Sequence, residues 1–354
     1  MSAPGPEEQV RFLLDVQRLL NEGLFTATYK YALLMSLADL AFEVGDDSGE
    51  PLKISLHQLA EKFIEYYWRQ AVPYLTRDRA GSGVLLRQNT DRQAAIVRIV
   101  ASARESRGES LAQFKRDARA WGHLIRRVSR VVEDMPLWKL QVVGDTVLDF
   151  LYENRRQDHA ITLRPGVAFC LRRFRELIAE LVQGAWVRYI RRYNLAELGD
   201  AADLVEFLFG SERTDLSPVR ALLTDLQRGR CFYCDRAFQG PAEVDHFIPW
   251  IMYPVDLGHN FVLSHRKCNS DKSDRLASEE HLESWVQRNE EHRMILAIAF
   301  DEIGVMHSLG CSLRIAHWAY ARAANSGGLA WLAADEMVPL DRTWLTLLER
   351  SAGT

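Results

Sequence analysis

The chain has 354 residues, 47% of them hydrophobic and 26% charged, with a formal net charge of −4. This is the composition of an ordinary globular protein that is long enough for a large and a small domain. A membrane span is excluded because the longest apolar run, Met294 to Phe300, ends at Asp301. The N-terminus lacks the basic start and apolar core of a secretory signal, so we expect a cytoplasmic protein.

Hydrophobic residues recur at three- and four-residue spacing through most of the chain, which predicts a mainly α fold. Gly45 and Ser55 are stop and start signals for neighbouring helices. The stretch 54–63 is typical of a packing helix and also of a helix-turn-helix unit. In chain order, helices are predicted near 10–23, 26–45, 55–72, 90–107, 111–132, 147–152, 165–193, 215–228, 269–290, 301–324 and 340–348, with an extended segment at 160–163.

Basic residues exceed acidic ones between Ala112 and Asn194, although the whole chain is slightly acidic. On the predicted helix 165–193 they flank an apolar stripe, which indicates a solvated charged face or, alternatively, a surface that contacts DNA phosphates. The arginines of this helix are Arg172, Arg173, Arg175, Arg188, Arg191 and Arg192.

Two short pairs of metal-ligating residues lie about thirty positions apart. Cys231 and Cys234 form a Cys-x-x-Cys pair, and His265 and Cys268 form a His-x-x-Cys pair. Thiolate and imidazole ligands in two such pairs are typical of a closed tetrahedral zinc site, so we predict structural Zn²⁺ here. The remaining cysteines, Cys170 and Cys311, lie in apolar segments that are predicted to be helical, and we expect them to be buried.

Between and just after the zinc pairs the chain reads Asp245-His246-Phe247-Ile248-Pro249, then Asn260, then Asn269 and Lys272. This order and spacing resembles the HNH (ββα-metal) endonuclease family over roughly Gln227 to Glu290, about a fifth of the chain. The sequence differs from the family pattern in using His265 on zinc where many members have Cys, and Asn269 where the family name implies His. Both changes conserve the chemistry of the ligand.

The resemblance implies a two-stranded hairpin and a helix that hold one divalent cation, Mg²⁺ or Mn²⁺. Asp245 and Asn269 would be its ligands, His246 the general base for water, and Asn260 the residue that orients His246. Lys272 either touches a substrate phosphate or is an exposed helix lysine. Because neighbouring strand residues point to opposite faces, Asp245 and His246 cannot both face the metal from a regular strand, so we expect a local distortion there.

Alternatives remain for several of these residues. Asn269 has the residue type of a helix N-cap. His265 can ligate zinc or the catalytic metal, and the spacing favours zinc. His259 is the reserve candidate for either task.

We therefore predict a helical region at 1–225 that binds DNA, a partner or a signal, a zinc-stapled ββα-metal module at 226–290, and a helical segment at 291–354. The expected activity is metal-dependent hydrolysis of phosphodiester bonds in DNA, in bacterial anti-phage defence or restriction, with a second copy of the chain or a defence protein as candidate partner. The alternatives are an RNA endonuclease and a zinc-dependent nucleic-acid or partner-binding module whose nuclease centre is inactive.

Overall fold

The computed structural model describes residues 3–74, 83–107, 110–153, 159–198, 204–210, 216–253 and 255–352. The chain forms two compact units, Met1–Gly210 and Ser211–Thr354. The predicted mainly α fold is confirmed. Residues 291–352 lie in the same unit as the predicted nuclease module. Among the described helices, none is long and apolar enough to cross a membrane.

The first unit is a helical domain built around one buried helix. Its two larger strands form an antiparallel pair in which Leu52 faces Leu163 and Ser55 faces Ala160. The elements are α1 (Pro6–Glu22), α2 (Tyr29–Val44), β1 (Leu52–Ser55), α3 (Leu56–Gln70), α4 (Ala95–Arg107), α5 (Leu111–Lys115), α6 (Ala118–Asp134), α7 (Pro136–Lys139), β2 (Val142–Val143), β3 (Thr146–Val147), β4 (Ala160–Leu163), α8 (Val167–Arg173), α9 (Arg175–Tyr193), α10 (Leu195–Leu198) and α11 (Leu204–Phe209).

Helix α2 is the centre of this unit, since all its residues from Tyr29 to Phe42 are buried. A helix that is apolar on every side is a core helix, and any charge on it needs a partner. Asp39 has two such partners: Arg175 donates to it through Nε and Nη2 at 3.0 and 2.7 Å, and the hydroxyl of Tyr66 donates to its other oxygen. Arg172 donates to the carbonyls of Phe42 and Gly45 at 2.7 and 2.9 Å, which satisfies the C-terminal end of α2. These two arginines are buried, so the prediction of a solvated or DNA-binding charged face was wrong for them.

Three predicted helices of the first unit differ from the structure. The helix 165–193 is interrupted at Phe174, between α8 and α9. The helix 111–132 is interrupted before Asp117, whose carboxylate accepts a hydrogen bond from the Ala120 amide and begins α6. The prediction of a helix at 147–152 was wrong, because the buried Gln141 side chain bonds the Leu151 amide and the Tyr152 carbonyl and so replaces helical hydrogen bonds. The predicted start at Ser55 and stop at Gly45 are confirmed as helix caps.

The second unit contains a two-stranded hairpin surrounded by helices. Its elements are α12 (Ser217–Leu226), β5 (Glu243–His246), a 3-10 turn (Gly258–Asn260), β6 (Phe261–Ser264), α13 (Arg266–Lys272), α14 (Glu279–Glu291), α15 (Arg293–Ile303), α16 (Leu309–Asn325), β7 (Leu329–Ala333), β8 (Glu336–Pro339) and α17 (Thr343–Ala352). Residue 215, where α12 was expected to begin, lies outside the described residues. The hairpin β7–β8 was not predicted from the sequence.

The predicted helix from Asn269 to 290 is two helices. It starts earlier, at Arg266, and α13 ends at Ser273, which has a positive φ of 50°. Asn269 therefore lies inside α13, and His265 is the residue at the N-cap position. The interpretation of Asn269 as a helix cap was wrong.

Replacing Arg175 by alanine should lower the free energy of unfolding of the helical unit by about 3–5 kcal/mol, because the Asp39 carboxylate would stay buried without its cation. Urea denaturation followed by circular dichroism measures the change. Arg173→Ala is the matched control, since Arg173 is exposed on the preceding turn and its loss should change stability by no more than about 0.5 kcal/mol. Equal effects of the two substitutions would contradict the structural role of Arg175.

Candidate functional site

The four predicted zinc ligands meet at one point of the second unit. The ligand atoms of Cys231, Cys234, His265 and Cys268 all lie within 4.8 Å of one another. The Cys234 Sγ lies 3.3 Å from His265 Nδ1, and the His265 amide donates to Cys231 Sγ at 3.4 Å. Three thiol sulfurs and one imidazole nitrogen are the donor set of a closed tetrahedral zinc site, so these residues fit structural Zn²⁺.

The electrostatics of the cluster also favour a bound cation. Burial and the neighbouring thiols of Cys231 and Cys234 raise the pKa of Cys268 to about 12. Thiolates this close repel one another, and a divalent cation removes that repulsion when it binds them. The cluster joins the loop before β5 to the first turn of α13.

The strands that carry the predicted catalytic motif form a regular antiparallel hairpin. Asp245 lies opposite Val262 and His246 opposite Phe261, without a register shift. The two side chains therefore point to opposite faces of β5, as in any regular strand. The expected local distortion is absent from this hairpin.

Asp245 is buried and receives two donors. The hydroxyl of Tyr233 donates to its Oδ2 at 2.5 Å, and Lys272 Nζ lies 3.1 Å from the same oxygen. Tyr233 belongs to the loop between Cys231 and Cys234, and Lys272 ends α13, the helix that contains Cys268. Burial and the Asp245 charge raise the pKa of Tyr233 well above its usual range, so its hydroxyl stays protonated and can donate.

Lys272 is fully buried, which differs from both sequence-based expectations for it. Its ammonium also donates to the backbone carbonyl of His246 at 2.9 Å. Burial lowers the pKa of Lys272, and the Asp245 carboxylate opposes that shift. The Lys272 ammonium thus connects α13 to Asp245 and His246 of β5. Because no part of Lys272 is exposed, it does not contact a phosphate on the surface.

His246 makes one polar contact that the sequence did not predict. Its Nε2 lies 2.9 Å from Oδ1 of Asp256, in the loop between β5 and β6. The rings of Trp250 and Phe261 each meet the imidazole edge-on with centroids 5.0 Å away. A carboxylate at Nε2 favours the tautomer with its proton there, which leaves the Nδ1 lone pair free to accept a proton.

Asn260 is buried and holds the chain just beyond His246. Its Oδ1 accepts from the Ile248 amide at 2.8 Å, and its Nδ2 donates to the Ile248 carbonyl at 2.9 Å. The Asn260 carbonyl accepts a third bond, from the Phe247 amide, at 2.8 Å. The Asn260 side chain thereby fixes Ile248, and its backbone carbonyl fixes Phe247.

Asn269 faces β5 from α13. Its Nδ2 donates to Oε2 of Glu243 at 3.1 Å. Glu243 lies two residues before Asp245 and so on the same face of the strand. Within the described part of the chain, the Oδ1 atoms of Asn269 and Asp245 accept no hydrogen bond. An amide oxygen and carboxylate oxygens fit a hard divalent cation, although Asp245 Oδ2 is already neutralised by Lys272.

His259 lies away from the zinc ligands. It is buried against Phe300, with ring centroids 5.5 Å apart, and burial lowers its pKa to about 3. Its carbonyl accepts hydrogen bonds from Trp285, Arg288 and Asn289, which anchor α14 to the turn before β6. His259 is therefore a core residue of the second unit.

Sequence reasoning missed three residues of this site. Glu243 could have been found from the two-residue period of β5, which places it beside Asp245. Tyr233 lies between two identified ligands, but nothing in its spacing indicates that its hydroxyl reaches Asp245. Asp256 is ten positions from His246 in an irregular loop and carries no motif signal.

Comparison with known families identifies both units. The family model for a domain of unknown function, DUF8808, matches residues 12–208, more than half of the chain. The HNH endonuclease model matches residues 231–275, which confirms the resemblance seen in the sequence. No curated protein matches the chain.

The purified protein should contain about one zinc ion per chain, and Cys268→Ser should lose most of it, because three remaining ligands hold zinc more weakly. Metal analysis by mass spectrometry gives the stoichiometry, and thermal melting should show a lower midpoint for the variant. Cys170→Ala is the control, since Cys170 is buried in the other unit and is no ligand. Full zinc content in Cys268→Ser would exclude this site.

Lys272→Ala should lower the free energy of unfolding of the second unit by about 3–5 kcal/mol, because it leaves the Asp245 carboxylate buried and unpaired. Lys267→Ala, an exposed lysine on the same helix, should change it by no more than about 0.5 kcal/mol. Denaturant unfolding of both variants makes the comparison. If Lys272→Ala unfolds like the parent protein and only weakens nucleic-acid binding, Lys272 contacts phosphate instead.

Proposed function

Because the chain belongs to the DUF8808 family and carries a zinc-stapled HNH module behind that domain, we propose that it is a metal-dependent endonuclease that hydrolyses phosphodiester bonds in DNA. The observation that carries the proposal is the His246–Asp256 pair. It supplies an imidazole with one nitrogen fixed by a carboxylate and the other without a hydrogen bond to any described residue.

The proposed task of each residue follows from its contacts. His246 accepts the proton of the attacking water at Nδ1, and Asp256 holds the imidazole in the tautomer that can accept it. Asn260 fixes the backbone beyond His246, and Lys272 fixes the His246 carbonyl, so the ring is presented from a rigid strand end. Asp256, Asn260 and Lys272 are in this proposal positioning residues.

Asp245 and Asn269 are the proposed ligands of a divalent cation, with Glu243 beside them. Such an ion, Mg²⁺ or Mn²⁺, would neutralise the charge that develops on the phosphoryl and leaving oxygens. The Oδ1 atoms of Asp245 and Asn269, which would hold the ion, accept no hydrogen bond within the described chain. Zinc, in contrast, would serve folding only.

A basic groove beside the zinc site fits a phosphate backbone. It is an open cavity of about 650 Å³ between the zinc loop, α13 and the hairpin β7–β8. Arg236, Arg266 and Lys267 line it and are exposed, and Asp271 is the acidic residue in its wall. The excess of cations supports a nucleic-acid substrate, because phosphate contacts supply most of the affinity that is independent of sequence.

Two features of the proposal rest on resemblance alone: DNA instead of RNA, and a role in anti-phage defence or restriction. The competing function is an inactive module that binds nucleic acid through the groove. The intact His246 and Asn269 favour the enzyme, because a binding module requires neither of them.

His246→Ala should lower the rate of plasmid nicking in Mn²⁺ or Mg²⁺ by about 10²–10⁴-fold, since it removes the general base. Added imidazole should restore part of the activity of His246→Gly. Asp256→Asn should lower kcat less strongly and leave KM unchanged, because Asp256 acts through His246. Gel assays with supercoiled plasmid give the rates.

His57→Ala is the control for these variants, since His57 is an exposed residue of the helical unit. Nicking that persists in His246→Ala would refute the proposed base. Matched DNA and RNA strands are incubated side by side: cleavage of RNA alone would assign an RNA endonuclease. Tight binding of both without cleavage in either metal would assign the inactive module.

A further inference from the structure

The helical unit contains a cavity of about 320 Å³ between the start of α2, the start of α4 and the end of α6. This volume lies within the usual range of small-molecule sites, roughly 300–1,000 Å³. Four basic side chains line it, Lys30, Arg92, Arg98 and Lys139, together with the acidic Asp134. The cavity is therefore strongly positive in a chain whose net charge is −4.

Lys30 lies on α2 and is 8% exposed, which is rare for a lysine without an anionic partner. Within the described residues its ammonium makes no hydrogen bond or ion pair. Its Nζ lies over the face of the Phe25 ring, 5.4 Å from the ring centroid. Burial and the nearby Lys139 lower the pKa of Lys30 to about 8, so the fold itself provides no compensating anion.

The rest of the basic lining is also unpaired. Arg92, Arg98 and Lys139 are exposed at the rim and make no ion pair among the described residues. Helix α4 begins at this cavity, but the Ile96 amide of its first turn already donates to the Tyr29 hydroxyl at 3.3 Å. The four cations are therefore the groups that can meet an anion in this cavity.

Apolar side chains also line the cavity. They are Leu24 and Met135, which are 72% and 58% exposed, together with Val131 and Pro136. Exposed apolar side chains next to basic ones suit a ligand that carries phosphate groups on a flat, less polar ring system. We propose that this cavity binds a nucleotide, with its phosphates on Lys30 and the basic rim and its base against Leu24 and Met135.

A nucleic-acid strand is the less suitable occupant, since its phosphates are widely spaced and bind best to exposed cations. Lys30 is instead buried in the lining of the cavity, where a compact group with several charges can reach it. The proposal does not depend on the nuclease activity of the second unit.

Calorimetric titration of the full chain tests the site in buffer without added divalent metal, with ATP, pyrophosphate, adenosine and a short DNA duplex as probes. ATP should bind, pyrophosphate more weakly, and adenosine least. Lys30→Met should weaken ATP binding by about tenfold or more, because hydrogen bonds to a charged group are lost. Arg98→Gln, an exposed change at the rim, should weaken it less.

Lys53→Met is the matched control, since Lys53 is exposed on β1. The melting midpoint of unliganded Lys30→Met should equal or exceed that of the parent protein, because the substitution removes a buried unpaired charge. A lower midpoint would make Lys30 a structural residue and overturn the proposal. So would ATP binding that is equal in the Lys30 and Lys53 variants, binding of the duplex alone, or no response to any probe at millimolar concentration.

Discussion

The buried carboxylate of Asp245 is the interaction on which the nuclease module depends. One donor to it, Tyr233, comes from the loop between Cys231 and Cys234, and the other, Lys272, comes from the helix that begins after His265. A buried carboxylate is tolerated only when such donors surround it. A zinc ion on the four ligands would join the two segments that carry these donors, so the metal and the carboxylate would stabilise the same arrangement. The strand end at His246 is fixed by two contacts. Lys272 donates to the His246 carbonyl, and Asp256 pairs with the imidazole.

This coupling explains why the module can be small. Its hairpin has two strands of four residues each, and a two-stranded hairpin is marginal by itself in water. The Phe232 amide bonds the Leu263 carbonyl at 2.9 Å, which docks the zinc loop on β6. Phe247 stacks on Trp285 of α14 with centroids 4.9 Å apart. Phe261 and Leu263 of β6 also pack in an apolar cluster with Leu296 and Phe300 of α15. The zinc ligands, a buried ion pair and an aromatic stack therefore add to a modest hydrophobic core.

The sequence was informative where chemistry is local. Ligand spacing predicted the cluster of Cys231, Cys234, His265 and Cys268, and helical periodicity predicted the mainly α fold, because both depend on residues close in the chain. The sequence did not predict contacts between residues that are far apart in the chain. Arg172 and Arg175 looked like a charged surface, but they neutralise and cap α2 from more than a hundred residues away. The burial of Lys272 depends in the same way on Asp245, and a spacing motif contains no information on burial.

The two buried charged residues of helix α2, Lys30 and Asp39, have different surroundings. Asp39 is compensated completely, by two donors from Arg175 and one from Tyr66. Lys30, nine residues earlier on the same helix, has a cavity and further cations as its surroundings. An apolar residue at position 30 would avoid the cost of a buried charge, as the other positions of α2 show. The fold satisfies the charge of Asp39 with several donors but leaves Lys30 facing an open, basic cavity. This is the arrangement of a site in which a bound ligand supplies the anion.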